Sequence, residues 1–138
     1  MERSFEPIGV VRSPLRSRKD APRSARDGAP AAVLELEERF AGALEGVRAG
    51  MELVLVTWLH EGLREVLQVR PGRDPTRDLT GVFATRSPDR PNPIGLHRIT
   101  VTRVEPPARV HVAALEAIDG TPILDVKIAL NPADGRDP

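Results

Sequence analysis

The side chains best suited to hold a charged ligand lie in residues 81–96, which read Gly-Val-Phe-Ala-Thr-Arg-Ser-Pro-Asp-Arg-Pro-Asn-Pro-Ile-Gly-Leu. Arg86 and Arg90 supply two guanidinium groups in this segment, and Asn92 supplies an amide. A guanidinium presents a planar fork of N–H donors that matches a carboxylate or a phosphate. Both arginines could equally be ordinary surface residues, and Arg90 could serve either the loop's own hydrogen bonds or an RNA phosphate.

Three prolines, Pro88, Pro91 and Pro93, stiffen this segment. Each proline fixes its own φ and biases the residue before it towards an extended backbone. A loop with few conformations to lose suits a ligand site, because less entropy is lost on binding. Gly95 follows, and the ordinary interpretation of a glycine there is a positive φ.

Two further places combine residue types that could do chemistry. His60 and Glu61 follow the most apolar run of the chain, where a predicted strand ends. A lone histidine beside a glutamate is more often a structural pair than a catalytic one, so both interpretations stay open. Residues 119–122, Asp-Gly-Thr-Pro, have the composition of a tight turn, and a plain β-hairpin is the simplest explanation for them.

The 138 residues correspond to one domain, which we place at residues 1–130, with a frayed tail at residues 131–138. The chain has no cysteine, which excludes disulfides and thiolate metal sites. His97 and His111 lie in strand patterns and lack the spacing of metal ligands, so no metal is predicted.

The charges of the chain balance, with 20 Lys and Arg against 20 Asp and Glu, so the whole molecule does not attract nucleic acid. Any RNA contact must therefore be local, and arginines do cluster in the N-terminal third and around the prolines. Only four aromatic residues occur, Phe5, Phe40, Trp58 and Phe83, which is a poor supply for stacking on single-stranded RNA. A generic RNA-binding module is disfavoured.

No segment has the character of a targeting or membrane sequence. The opening residues lack the apolar region of a secretory signal, and the longest apolar run, Leu53 to Val56, is far too short to span a bilayer. We expect a cytoplasmic protein without membrane contact.

The dominant hydrophobic periodicity is two, which is typical of half-buried strands. Residues 51–60 are apolar at nearly every position, which predicts a central strand covered on both faces, the second by another layer or subunit. One helix is predicted over residues 38–47, and residues 13–30 form a long loop that is functional or disordered. The predicted strands are residues 5–12, 33–37, 51–60, 63–70, 81–85, 97–104, 109–114 and 123–130.

Five segments, in this order along the chain, resemble the signature of the TrmO/TsaA-like family of S-adenosylmethionine-binding β-barrels, the YaeB and VirR group. They are Ile-Gly-Val-Val-Arg-Ser-Pro at residues 8–14, Pro-Arg at 22–23, Trp-Leu-His at 58–60, the proline-rich run at 81–96, and Asp-Gly-Thr-Pro-Ile-Leu-Asp-Val-Lys at 119–127. The resemblance implies a mainly β fold, a closed single-sheet β-barrel of about seven or eight short strands with one short helix.

The resemblance also implies a site for S-adenosylmethionine built from residues far apart in sequence. No glycine-rich nucleotide fingerprint follows a strand and opens a helix, so the doubly wound methyltransferase fold is excluded and loops must hold the cofactor. Arg86 is the strongest candidate for a cofactor contact. The positions that the family implies are Pro22, Arg23, Ser24, His60, Glu61, Arg86, Leu96, Asp119, Gly120, Thr121 and Pro122.

The sequence departs from the family pattern at two places. Ser24 replaces the usual glutamine, which removes an amide side chain from the early loop. Lys127-Ile128-Ala129 replaces the usual Lys-Pro-Tyr, and larger members carry a C-terminal extension beyond this region. The first departure bears on the cofactor contact, and the second bears on RNA contact and dimer packing.

Three functions from different classes are compatible with these observations. The first is a methyltransferase acting on N6 of threonylcarbamoyladenosine beside the tRNA anticodon, with Asp119 or Glu61 able to accept the proton that the amine loses. The second is a sensor of S-adenosylmethionine, or a small-molecule methyltransferase, that does not touch tRNA. The third is a purely structural barrel, which leaves the stiff basic segment unexplained. The resemblance also implies a homodimer.

Overall fold

Eight strands lie within residues 2–131, the part of the chain that this computed structural model describes. They are β1 (Gly9–Arg12), β2 (Ala32–Leu36), β3 (Glu52–Trp58), β4 (Gln68–Val69), β5 (Thr80–Gly81), β6 (Ile94–Glu105), β7 (Arg109–Val112) and β8 (Pro122–Ile128). The mainly β prediction is confirmed. Of the predicted tail, residues 132–138 lie outside the described part.

Six strands form a closed antiparallel barrel in the order β1-β2-β7-β6-β3-β8. The barrel closes where β8 pairs with β1, with Val10 opposite Pro122. The longest pairing joins β3 to β6, from Glu52 opposite Thr100 to Trp58 opposite Ile94. Closure leaves these strands without free edges. The remaining strands, β4 and β5, pair with each other in a separate two-stranded sheet.

The interior of the barrel is filled mainly by alternate strand residues, as the period of two predicted. The start of β8 is an exception, because its pairing with β3 shifts in register there and Ile123 rather than Leu124 is buried. Leu34, Leu55, Ile99, Leu115 and Ile123 are essentially inaccessible to solvent. Burying one such side chain stabilises the fold by roughly 1.5–3 kcal/mol. The alternation of apolar residues along the strands therefore accounts for most of the core.

The predicted helix at residues 38–47 is a 3₁₀ helix over Glu38–Leu44. Gly46 has a φ of +92°, a conformation that does not continue a right-handed helix. Shorter 3₁₀ turns occupy Ala25–Asp27, Pro71–Arg73 and Val82–Ala84. Within the described residues, no helix has the length and apolarity needed to cross a membrane.

Two predicted strands are much shorter in the structure. Residues 63–70 contain only β4, and residues 81–85 contain only the end of β5 followed by a 3₁₀ turn. Leu63 and Leu67 are exposed, so the apolar residues that suggested a strand have no sheet to pack against. A short apolar run without a partner strand does not make a strand.

The second cover predicted for residues 51–60 is not supplied in full by another layer of the described chain, and a covering subunit stays a prediction. Leu53, Leu55 and Thr57 are buried in the barrel, but Val54 and Val56 on the outer face keep intermediate exposure. The outer face of β3 is thus apolar and only partly covered.

Candidate functional site

Three long connections meet at one end of the barrel. They join β1 to β2 (residues 13–31), β3 to β6 (residues 59–93) and β7 to β8 (residues 113–121). They share this end because β3 ends opposite the start of β6, and β1 runs antiparallel to both β2 and β8. We call this end the site rim. Leu96 and Pro122 lie on the strands at the rim, and the other nine predicted cofactor residues lie in the three connections.

The proline loop, residues 85–93, is held in shape by Arg90. Its Nη1 donates to the carbonyl oxygens of Thr85 (3.1 Å) and Ser87 (3.0 Å), and its Nη2 donates to that of Val82 (2.8 Å). Of the two roles that the sequence left open, this geometry shows the loop's own hydrogen bonds. Arg90 is a structural residue.

Arg64 fastens the other half of the proline loop. Its Nε donates to the Pro91 carbonyl at 2.7 Å and its Nη2 to the Asn92 side-chain oxygen at 2.8 Å. The same guanidinium lies 5.2 Å from the centroid of the Trp58 ring, in a cation–π contact. Sequence reasoning missed this role, because nothing local marks Arg64 among the exposed residues around it.

An ion pair between Arg18 and Asp89 joins the β1–β2 connection to the β3–β6 connection. Arg18 donates twice to the Asp89 carboxylate, at 2.9 and 3.1 Å, and also to the Glu61 carbonyl at 3.2 Å. The Asp89 carboxylate accepts a further bond from the Leu63 N–H at 2.9 Å. Burial alone raises the pKa of Asp89, but the bonds from Arg18 and Leu63 outweigh it and hold the pKa below its ordinary value.

Gly62 allows the turn after β3 to touch the proline loop. A Cβ at this position would lie 2.3 Å from the Pro88 carbonyl oxygen and 2.7 Å from the Pro93 Cβ. Glycine is therefore needed for close approach. His60 and Glu61, immediately before it, are exposed, and neither side chain makes a hydrogen bond or ion pair within residues 2–131.

Arg86 differs from Arg18, Arg64 and Arg90, whose guanidinium groups all bond to the loops of the rim. It is exposed, and among the described residues its guanidinium makes no hydrogen bond or ion pair. The loop beneath it is already fixed by Arg90 and Arg64. Arg86 thus presents a free cation on a rigid support, which fits an anionic ligand group.

The early loop brings its three predicted residues to the same end of the barrel. Pro22 and Ser24 are partly buried and Arg23 is exposed. The Ser24 hydroxyl donates to Asp27 at 3.3 Å, next to the 3₁₀ turn. The Arg23 guanidinium lies against Gly72, where an added Cβ would be 2.8 Å from its Nη1. Arg23 therefore lies over the connection between β3 and β6.

The turn at residues 119–122 is anchored to the end of β1. The Asp119 carboxylate accepts the Ser13 N–H at 3.0 Å and a bond from Arg16 at 3.4 Å. Gly120 has a φ of +83° and donates its N–H to Val11 at 2.8 Å. The buried Thr121 hydroxyl donates to the Ile118 carbonyl at 2.7 Å. A ligand at this turn can therefore meet backbone groups but not the Thr121 hydroxyl.

Two cavities lie away from the predicted residues. One, of about 560 Å³, opens at the opposite end of the barrel between the end of β2 and Glu105–Arg109. The other, of about 300 Å³, lies beside Arg12, Pro14 and His111. Neither is lined by a predicted cofactor residue. No group of three or more His, Asp or Glu within residues 2–131 is placed to hold a metal ion.

The fold and rim define a class of protein in which a small antiparallel β-barrel carries three long connecting loops at one end. The family model for the tRNA-methyltransferase O N-terminal domain matches residues 10–135. The chain therefore belongs to the TrmO family, as the resemblance implied.

Named relatives and solved structures agree with this assignment. The chain is 41% identical over 120 residues to the "Probable S-adenosyl-L-methionine-binding protein VirR" of Rhizobium radiobacter, covering 87% of this chain and 67% of that protein. It is 37% identical over 124 residues to an S-adenosyl-L-methionine-binding protein of Archaeoglobus fulgidus, covering 89% and 86%. The crystal structure of TrmO from Pseudomonas aeruginosa superposes with a TM-score of 0.76 at 30% identity, covering 99% of this chain and 60% of that one. The chain thus spans 60% of the TrmO chain whose structure it matches.

Proposed function

We propose that this protein is an S-adenosylmethionine-dependent methyltransferase that methylates N6 of threonylcarbamoyladenosine next to the tRNA anticodon. The observation that carries the proposal is the free Arg86 guanidinium, held on a braced loop where the three connections meet. Membership of the TrmO family supports both the cofactor and the tRNA substrate.

The residues at the rim fit the chemical groups of the cofactor. Arg86 suits the carboxylate of its methionine part, and the backbone of residues 119–122 offers partners for an adenine edge or a ribose. Leu96 is 49% exposed and supplies an apolar surface. When bound, the cofactor supplies a methyl group on a positively charged sulfur. We propose the full set of Pro22, Arg23, Ser24, His60, Glu61, Arg86, Leu96 and Asp119 to Pro122 as its contacts.

The chain's part in the reaction is mainly to hold the acceptor and the cofactor in line. Methyl transfer disperses charge in the transition state, so orientation contributes much of the rate enhancement. The acceptor amine must also lose a proton. Glu61 is the better placed acceptor, because its carboxylate is exposed and unpaired within residues 2–131, whereas the Asp119 oxygens already accept bonds from Ser13 and Arg16.

We further propose a homodimer that forms through the outer face of β3 and β6. Two cross-strand pairs line this face, Trp58 opposite Ile94 and Val56 opposite Leu96. Ile94 is 42% exposed, so together with these neighbours it forms a continuous apolar strip that the single chain leaves open to solvent. A second copy on this face would cover the strip and border the site at Leu96.

The remaining elements of the proposal follow from the same assignment. Residues 1–130 form one domain, and the enzyme acts in the cytoplasm.

The alternative is a cofactor sensor or small-molecule methyltransferase that does not act on tRNA. It is favoured by the balanced charge of 20 basic against 20 acidic residues, which gives no general attraction for RNA.

The test separates cofactor binding from methyl transfer. Purified protein is titrated with S-adenosylmethionine in a calorimeter, then incubated with modified tRNA and labelled cofactor. Binding with label in the adenosine supports the proposal. Binding without transfer supports the alternative, and folded protein that binds neither the cofactor nor its demethylated product contradicts both.

A further inference from the structure

A chain of hydrogen bonds with a buried histidine at its centre links β3, β6 and the β7–β8 connection just below the site rim. The His97 ring lies between two partners, with Nε2 2.8 Å from the Thr57 hydroxyl and Nδ1 2.5 Å from a Glu116 carboxylate oxygen. Thr57 is 0% exposed and His97 is 6% exposed. None of the three residues belongs to the cofactor contacts proposed above.

The three residues come from the elements that carry those contacts. Thr57 lies on β3, three residues before His60, and its neighbours across the sheet are Gly95 on β6 and Ile123 on β8. His97 is the residue after Leu96 on β6. Glu116 belongs to the connection that leads into the turn at residues 119–122. The chain of bonds therefore connects β3 and β6 to the segment that leads into the turn at residues 119–122.

Gly95 shows that the barrel is shaped around these bonds. A Cβ at this position would lie 2.5 Å from the Thr57 hydroxyl oxygen and 2.8 Å from His97 Nε2. Gly95 is not among the glycines of positive φ in the described residues, so the prediction of that conformation is wrong. The glycine is required because no larger residue leaves room for the buried pair.

Both hydrogen bonds of the His97 ring can form whether the imidazole is neutral or protonated. Nδ1–H donates to Glu116, while the Thr57 hydroxyl donates to a neutral Nε2 or accepts from a protonated one. Burial alone raises the pKa of Glu116, but the bond from His97 outweighs it, so the pKa lies below its ordinary value and the group is a carboxylate at neutral pH. No buried side-chain polar atom of the described residues is left without a partner.

We propose that His97 is a positioning residue for the cofactor site. By bridging Thr57 and Glu116, it holds the end of β3 at a fixed distance from the segment that leads into the turn at residues 119–122. This role rests on the proposed function, since it assigns the bridge to the cofactor contacts that flank it. The bridge touches no ligand itself and acts through the loops that it holds.

The sharpest variant is Thr57→Val, because valine keeps the shape of threonine and replaces only the hydroxyl with a methyl group. We expect it to weaken S-adenosylmethionine binding by about ten-fold, since one buried hydrogen bond is lost. Thr57→Ser keeps the hydroxyl and should restore most of the affinity. His97→Gln should weaken binding at least as much as Thr57→Val. If His97→Gln does not fold, the comparison of Thr57→Val with Thr57→Ser alone tests the proposal.

A second histidine and glutamate pair provides the matched control. His111 lies 2.8 Å from Glu105 on the outside of the barrel, and its neighbour on β6 is Arg103, six residues beyond His97. His111→Gln removes a similar bond on the outer face of the barrel, beside a cavity lined by none of the proposed cofactor contacts, and should leave the affinity unchanged. Equal losses from His111→Gln and Thr57→Val would show a general stability effect and overturn the proposal.

Amide hydrogen exchange, measured without any cofactor, separates this inference from the proposed function. Thr57→Val should speed exchange in residues 59–63 and 119–122, and His111→Gln should not. If wild-type protein binds no S-adenosylmethionine, the proposed function fails and exchange alone decides whether the bridge orders these segments. If wild-type protein binds and folded Thr57→Val binds equally well with unchanged exchange, the positioning role is refuted.

Discussion

Arg18 and Asp89, 71 residues apart in the chain, form a two-pronged ion pair with bonds of 2.9 and 3.1 Å. Both side chains are largely shielded from solvent. The pair joins the early loop to the proline loop, and the Leu63 N–H adds the turn after β3 to the same carboxylate. The relative positions of two of the three connections therefore depend on one aspartate.

Asp89→Asn should destabilise the fold by about 1–2 kcal/mol, because it leaves the Arg18 guanidinium without its charged partner. Urea unfolding followed by circular dichroism measures the change. Asp125→Asn is the matched control, since Asp125 pairs with Lys127 at 3.5 Å on the exposed surface and should have no measurable effect. A loss confined to the control would contradict this account.

Stability should fall in acid partly through Asp89 and Glu116. Both carboxyls have a pKa below the ordinary value in the folded protein, so the unfolded chain binds more protons as the pH falls. Their contribution is complete above the pKa of an unfolded carboxyl, about pH 4, and is lost as the pH falls through the lowered pKa. Urea midpoints of wild type and Glu116→Gln should converge as the pH drops below that value. Curves that stay parallel would be inconsistent with these pKa shifts.

Arg86 and Arg90 should give opposite results when replaced by alanine. Arg86→Ala removes a free guanidinium, so it should weaken S-adenosylmethionine binding by about ten-fold or more and leave the melting temperature unchanged. Arg90→Ala breaks three bonds to loop carbonyls, so it should lower the free energy of unfolding by roughly 2–3 kcal/mol. Calorimetry and thermal melts on both variants provide the comparison, with Lys19→Ala as an exposed control. Unaltered affinity in a folded Arg86→Ala protein would remove Arg86 from the site.

Gly62→Ala should displace the proline loop or destabilise the fold, because a Cβ there would lie 2.3 Å from the Pro88 carbonyl oxygen. The expected cost is roughly 1–3 kcal/mol, the usual range for forcing extra atoms into a packed contact. Gly42→Ala is the control, since its Cβ would meet nothing within 4 Å. Thermal melts of the two variants should separate clearly, and equal stability would argue against the close approach.

Ile94→Glu should dissociate the proposed homodimer, because a charge would enter the apolar strip opposite Trp58. Thr102→Glu places the same charge at an exposed position further along β6 and should leave the assembly intact. Sedimentation velocity reports both results. A wild-type protein that sediments as a monomer at all concentrations would remove the dimer from the proposal.

The alternation of apolar residues was enough to predict the barrel strands, and the resemblance was enough to place most candidate residues in the connections at one end. Hydrophobic period determines which face of a strand is buried, as in Ile99 and Val110. It says nothing about polar partners from distant parts of the chain. Arg18, Arg64 and the bridge from Thr57 to Glu116 were missed for that reason, since each acts through a partner at least 19 residues away.

The predicted strands at residues 63–70 and 81–85 failed for a related reason. Their local composition favours an extended backbone, but a strand needs a neighbour, and the barrel is already closed by the other six strands. The segment instead folds back on itself through the short pairing of β4 with β5. Local propensity could not reveal that closure leaves no vacant edge for it.

The bonds from Arg90 to Val82, Thr85 and Ser87 have a consequence for how a ligand arrives. Because the Arg90 side chain bonds to carbonyl groups of its own loop, we expect the loop to have the same conformation before and after it binds a ligand. Recognition on this side of the barrel then proceeds as a collision with a preformed surface rather than through a rearrangement, and its speed is governed by diffusion and orientation.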